Sequence, residues 1–465
     1  MRAWLKGWFD FLFSIDKPDR TKVFLLTLSF FFIIGAYTLA KELKDSIFLI
    51  VVGKEYIWFA KLISIFVLIP SILLYSKLVD ELRRYHLLSF YCLAYGSIGL
   101  IFTYFLSHPT IGIPNTDSSP WRIFGWLFYL FIEGYSPFVV SVFWAFANSI
   151  NDPTGAKKSY GLIVAGSKIG GMVTAAGAVL LLQMKEASII SLSHTLKHQI
   201  LLGVSSLFLL VVPIILSILM RIVSGRYLHG YEAAYQVEKS RSKKGETQTG
   251  IFSGLRMLLR YPYAMGIFLV AFFYEVIQTV LSYQRLGIAQ ETGGGVSGMS
   301  AFLFKMSFIT HLVGFSIAFL GTRSLISRLG ERFCLLLVPA STAVLFIFFR
   351  IFSTEQWAFI TFFVVFRAIH YAFSSPLRES LYIPTVKEIK FKSKSWIDAF
   401  GTKFAKGAGS VFNGATSGLT TALFLTSQSV FFSAIIGLWF LVALLLGYRF
   451  EKAIARDEVI GVDRV

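Results

Sequence analysis

Roughly twelve stretches of about 20 apolar residues recur along the chain, each long enough at ~1.5 Å per residue to cross a hydrocarbon core of about 30 Å. Nothing in the sequence constrains the fold more. Inside a bilayer every backbone N–H and C=O has to be bonded within the protein, so such a chain folds as a bundle of membrane-spanning helices. The composition agrees: 55% of residues are hydrophobic and 15% charged, too apolar for a soluble domain of 465 residues. The spans, numbered 1 to 12 here, are expected near 23–49, 56–78, 86–107, 122–147, 159–182, 199–220, 262–284, 299–321, 333–352, 356–383, 396–424 and 429–448.

Basic residues alternate between loops. With both ends in the cytoplasm, the inner segments hold Arg2, Lys6, Lys17, Arg20 and Lys22, then Lys77, Arg83 and Arg84, then Lys157 and Lys158, and the run from Arg221 to Arg260. Outer loops hold little more than Lys54, Lys185 and Lys197, an asymmetry that sets orientation by the positive-inside rule. The net charge of +18 is therefore topological, and its distribution over alternate loops argues against a nucleic-acid surface. Cys92 and Cys334 fall in different spans, so neither a disulfide framework nor a metal site is expected. Residues 1–22 lack a small-residue cleavage site and carry acids, which fits an interfacial amphipathic segment better than a signal peptide.

The longest polar stretch, in the linker 221–261, divides the chain into six-span halves at 23–220 and 262–448, followed by a tail at 449–465. This is a major-facilitator-like layout, all helical, with two halves related by an axis along the membrane normal. Span 5 has "GSKIGGMVTAAGA" from Gly166 and span 11 has "GTKFAKGAGSVFNGATSG" from Gly401, each a Gly-Ser/Thr-Lys followed by small residues. Small residues let helix backbones approach closely, which suits a moving seam between the halves. Their alternative is the general frequency of glycine in membrane helices.

Charges stand where lipid-facing helices exclude them. "AYTLAKELKDSIFLIVV", residues 36–52, continues the apolar run of span 1 through Lys41, Glu42, Lys44 and Asp45. Ending the helix at Ala40 would leave these charges snorkelling in the headgroups but strand Ser46–Val52 in water, so the helix is expected to run from Val23 to Val52. Further ionisable residues are Lys61, Glu133, Lys168, Glu275, Lys305, Arg367, Arg378, Glu379, Asp398, Lys403 and Lys406. Cations outnumber acids in this set. Intramembrane ionisable groups mark substrate or ion paths, and a cationic interior calls for a multiply charged anion, with structural ion pairs as the alternative for any one residue. Lys and Arg donors suit phosphate oxygens. There is no GxxxxGK[ST] loop, no HExxH and no His/Cys metal spacing, so hydrolysis is not expected and a nucleotide would be cargo. No cofactor is expected.

Several segments resemble the bacterial and plastidic nucleotide transporters known as ATP/ADP translocases. "LAKELKDSIFLI" resembles the family's span-1 "LKD" motif, and "WFAKLISIFVLIPS" its span-2 lysine at Lys61. "FIEGYSPFVVSVFWAFANSINDPTGAKKSY" is similar to its span-4 acid and Phe-Trp-Gly-Phe-Ala-Asn segment, with Ala145 where the family usually has Gly. "VAFFYEVIQTV" carries the span-7 acid at Glu275, and "RESLYIPTVKEIKFKSKSWIDAFGTKFAKGAGS" resembles the signature that ends in Gly-Lys-Ser-Gly-Gly, here "KGAGS" with Lys406.

The resemblance covers nearly the whole chain. It implies a major-facilitator fold and transport of nucleotides, most often ATP in exchange for ADP plus phosphate, across the envelope of a bacterium living inside another cell; a monomer in the inner membrane is expected. It also implies that Lys61, Glu133, Glu275 and Lys406 matter for substrate. The expected mechanism is alternating access around a midplane cavity. Lys44, Lys61 and Lys406 would hold phosphates, with Asp45, Arg367 and Lys403 beside them; Glu133 and Glu275 would pair with lysines when the site is empty; Phe143, Trp144 and Asn148 are candidates to face the base, with lipid or core packing as the alternative for the two aromatic residues. Two alternatives stay open: a proton-coupled carrier of another nucleotide, NAD or organic anion, and a transport-inactive receptor or scaffold.

Overall fold

A computed structural model describes residues 17–150, 153–184, 192–223, 256, 258–292, 294–320, 322–382, 384–386, 389, 393–456 and 458–461. The described residues are helical, apart from short connections and one isolated bridge between Thr385 and Ile460. Every expected span is present. Spans 1, 2 and 3 are Lys17–Val51, Ile57–Glu81 and Arg84–Phe105; spans 5 and 6 are Pro153–Gln183 and His194–Ile222. Spans 7 and 8 are Pro262–Glu291 and Gly295–Leu320, span 9 lies within Thr322–Ile351, where two helices meet at Gly330 (φ 78°), and span 12 is Thr421–Ala455. Among the described residues, nine helices are long and apolar enough to cross a membrane uninterrupted.

Three spans are broken by a π-helical turn. Span 4 runs Ile123–Glu133, turns through Ser136–Val140 and continues as Ser141–Ile150. Span 10 runs Gln356–Ile369, turns through His370–Ser374 and continues as Ser375–Ser380. In span 11 the turn Ile397–Gly401 joins Lys394–Trp396 to Thr402–Thr416. A proline sits within or just after the first two breaks, Pro137 and Pro376, where its missing N–H cannot continue an i→i−4 ladder. Spans 4 and 10 hold equivalent places in the two halves, so the breaks extend the internal repeat beyond the glycine motifs.

The span ends correct the sequence reading in detail. Residues 17–22 belong to span 1 rather than to an interfacial segment, while 1–16 and nearly all of the 221–261 linker lie outside the described residues. Lys22 is buried and donates to the Ile150 carbonyl (3.4 Å), where span 4 leaves helix-end carbonyls without intrahelical donors. Lys197, assigned to an outer loop by sequence, is buried at the start of span 6. It donates to the carbonyls of Met184 (2.7 Å) and Leu182 (3.4 Å) at the end of span 5. Both lysines act as C-caps, favourably placed against the negative end of a helix dipole.

Contacts divide the described residues into two units, one within Met1–Val51, Leu68–Thr247 and Gly294–Phe308, the other within Val52–Val67, Gln248–Gly293 and Ile309–Val465. Spans 2 and 8, the second of each sequence half, are thus each shared between units. In the first unit, Gly170 of span 5 lies against the carbonyl of Phe31 in span 1, and Gly166 against Thr27, so closely that a Cβ has no room. In the second, a Cβ on Gly409 of span 11 would come within 2.8 Å of the Val276 carbonyl in span 7. Spans 1 and 5 therefore meet as spans 7 and 11 do. Gly166, Gly170 and Gly409 thus join helices inside a half. Span 11 also presents Gly407 to Ile65 and Gly414 to Trp58, on the early part of span 2.

Candidate functional site

Span 1 continues as helix through the charged cluster to Val51, because Ser46–Val51 keeps the apolar pattern going and ends only at Gly53, whose φ of 120° suits glycine. At 100° per residue, Lys41, Lys44 and Asp45 share a face and Glu42 turns away. Lys44 faces span 4 and is almost wholly buried, 6% exposed. Its Nζ donates to Glu133 Oε2 at 2.8 Å, lies 3.4 Å from Asp45 Oδ1, and sits 4.2 Å from the centroid of the Tyr129 ring. Phe48, one turn on, packs on Tyr129 and Trp126 and fixes the spacing of the two helices. Glu133 ends the first helix of span 4, three residues before the π-turn.

One buried cation is thus held by two carboxylates and an aromatic face. At an effective dielectric of ~20, the 2.8 Å contact is worth about 6 kcal/mol of gross attraction, much of it offset by desolvation. Such a balance lets the pair exchange for a competing anion without a large net loss.

Glu42, fully buried on the other face, accepts a hydrogen bond from the Ser307 hydroxyl of span 8 at 2.7 Å, with Lys41 Nζ at 3.8 Å. Two more serines of span 8 meet histidines of span 6: Ser297 Oγ lies 2.7 Å from His194 Nδ1, and Ser300 Oγ 2.9 Å from His198 Nε2. His198 Nδ1 lies 2.7 Å from the His194 carbonyl, which can only accept. Nδ1 therefore carries the proton in neutral His198, and Nε2 accepts from Ser300.

The aromatic residues expected to face a base are engaged in packing. Phe143 is fully buried and stacks on Phe30 (centroids 4.4 Å apart, planes 5° apart); Trp144 meets Phe30 edge-on at 5.1 Å. Phe30 therefore occupies a stacking face of Phe143. The Asn148 side chain lies outside the described residues.

In the second unit, Lys61 and Lys406 each adjoin a packing contact, because Leu62 and Ile65 meet Gly407. Lys403 is buried one turn before Gly407, and Glu275 is half-buried on span 7. Arg367, 6% exposed, lies three residues before the π-turn of span 10, as Glu133 does in span 4. Its guanidinium carbon is 5.3 Å from the centroid of Phe363 and 5.7 Å from that of Tyr371. Beside it, Tyr274 of span 7 stacks on His370 within that turn. Three other charges expected in the interior are paired here: Arg378 donates to Asp398 at 3.2 Å, and Glu379 accepts from Lys394.

Arg285 of span 7, 1% exposed, went unnoticed in the sequence. The span predicted from hydropathy stops at residue 284, just before Arg285, whereas the helix continues seven residues further to Glu291. Leu286 and Ala289 beyond it continue the buried face and are the signal that would have extended the span.

Among the described residues helices fill all twelve predicted spans, and they carry buried charges such as the Lys44–Glu133 pair, the make-up of a polytopic membrane protein. The fold is that of solved transporters: a D-xylose-proton symporter matches with a TM-score of 0.61 at 12% identity, over 93% of this chain and 97% of that one. A bacterial homologue of the human lysosomal transporter Spinster matches at 0.52 and 13% identity, over 96% and 99%. The model of the TLC ATP/ADP transporter family matches residues 2–450, and the chain belongs to that family. Among relatives, ADP,ATP carrier protein 3 of Rickettsia bellii is 23% identical, covering 86% of this chain and 88% of its own. ADP,ATP carrier protein 1 of Chlamydia trachomatis serovar D is 25% identical over 97% and 92%.

Proposed function

We propose that this protein exchanges ATP for ADP across the inner membrane of a bacterium, with both termini cytoplasmic and phosphate as a further candidate cargo. Family membership and the names of the relatives support the substrate class. The observation that carries the mechanism is Lys44, kept charged inside the helix bundle by Glu133 at 2.8 Å and Asp45 at 3.4 Å. A polyphosphate brings several anionic oxygens and competes for that ammonium, so substrate entry replaces an internal ion pair with an ion pair to cargo. When substrate leaves, the carboxylates take Lys44 back, and the buried cation is never stranded.

Within the second unit, Lys61, Lys403 and Lys406 of spans 2 and 11 are further phosphate donors, and Glu275 of span 7 is a counter-ion for them at rest. Alternating exposure of these groups gives exchange. A panel of unlabelled nucleotides competing against labelled ATP uptake in proteoliposomes tests the substrate class. ATP and ADP should compete best; no saturable uptake of labelled ATP, or stronger competition by NAD or nucleosides than by ADP, would refute it.

A further inference from the structure

Arg285 and Arg367 come from different helices to the same ring. The guanidinium carbon of Arg285 is 5.2 Å from the centroid of Phe363, and that of Arg367 is 5.3 Å from it, so the two carbons lie within roughly twice that distance of each other. Both arginines and Phe363 are buried. Phe363, Arg367 and Tyr371 are spaced by four, which stacks ring, guanidinium and ring on one face of span 10 as far as its π-turn. Helical side chains lean toward the N-terminus of their own helix, so Arg285 reaches back along span 7 toward its middle.

Two like charges held this close in a low-dielectric interior repel, and the ring face attracts both. A ring fixes the position of a guanidinium; phosphate oxygens match its fork of N–H donors.

We propose that Arg285 and Arg367, aligned by Phe363, form a phosphate subsite that takes the terminal phosphate of the transported nucleotide. This rests on the nucleotide-exchange reading and adds to it a means of distinguishing nucleotides by phosphate number. Arg285 becomes a specificity-determining residue.

The test uses the full-length protein as wild type, Arg285→Gln and Arg285→Lys. In proteoliposomes, ATP, ADP and AMP compete against labelled ADP uptake. Loss of a charge-assisted contact should raise the half-inhibitory ATP concentration of Arg285→Gln by about tenfold or more and leave AMP within about twofold. Arg285→Lys should fall between the two. Equal weakening of all three nucleotides, or none, would overturn the subsite.

A second measurement needs no transport. In detergent, inorganic tripolyphosphate should raise the melting temperature of the wild type more than that of Arg285→Gln, and of Arg285→Lys by an intermediate amount. Equal protection of all three overturns the subsite. Protection that depends on Arg285 in a wild type taking up no nucleotide would refute nucleotide exchange and leave the phosphate subsite standing.

Discussion

Removing Lys44 should harm the protein more than removing Lys44 and Glu133 together. In the Lys44→Gln variant, Asp45 and Glu133 lose a shared cation at 3.4 Å and 2.8 Å, gross attractions of about 5 and 6 kcal/mol at a dielectric of ~20. Desolvation relief for the missing ammonium offsets part of this. What remains is two buried carboxylates facing each other, the situation in which breaking a buried pair costs about 3–5 kcal/mol. Adding Glu133→Gln removes one of those charges and supplies an amide for the neighbouring glutamine. The double variant should recover about 2 kcal/mol of the loss, a coupling within the range for residues in direct contact. The assay is a double-mutant cycle on reversible unfolding in mixed micelles, with Glu133→Gln as the fourth corner. Additivity within about 0.5 kcal/mol would show that the two side chains do not share an ion pair and would refute the releasable-cation argument.

Other perturbations have definite outcomes. Lys61→Ala should abolish ATP uptake while membrane insertion and melting temperature stay near wild type; normal uptake would remove Lys61 from the site. Gly409→Val puts a branched side chain where a Cβ already comes within 2.8 Å of the Val276 carbonyl, and should cost about 1–3 kcal/mol of stability in an unfolding titration, whereas an unchanged midpoint would mean that spans 7 and 11 do not touch there. Cysteine at 44 or 45 should react with a polar thiol reagent and be protected by ATP, while cysteine at 42, on the face turned to Ser307, should react slowly with or without ATP; equal labelling at all three would place the cluster in the headgroups.

The span pattern was legible because the bilayer imposes it. Hydrophobic length alone located twelve helices, and the continuation of span 1 through "KELKD" followed from the cost of exposing Ser46–Val51. The placement of Lys44 beside Asp45, and of Glu42 at a helix contact, followed from 100° per residue. Partners on other helices were out of reach, because no spacing in one sequence says that Lys44 meets Glu133 rather than Glu275. The same gap hid the helix-end roles of Lys22 and Lys197, which look like loop charges until the neighbouring helix end is seen. Arg285 falls outside the predicted span 7, which stops seven residues before the helix end. For Phe143 and Trp144 the sequence leaves a base contact and core packing both open, and only Phe30 stacked against Phe143 reveals how that ring packs. The π-turns left a trace in Pro137 and Pro376, but proline in a membrane helix has several outcomes and did not specify this one.

The central claim is exchange of ATP for ADP, and counterflow tests it most directly. Purified protein in proteoliposomes loaded with ADP should accumulate labelled ATP, with one ADP leaving for each ATP that enters, and a proton ionophore should not change the rate. Vesicles without internal nucleotide should take up almost none. Uptake into empty vesicles that requires a proton gradient, or no uptake under either condition, would contradict the account.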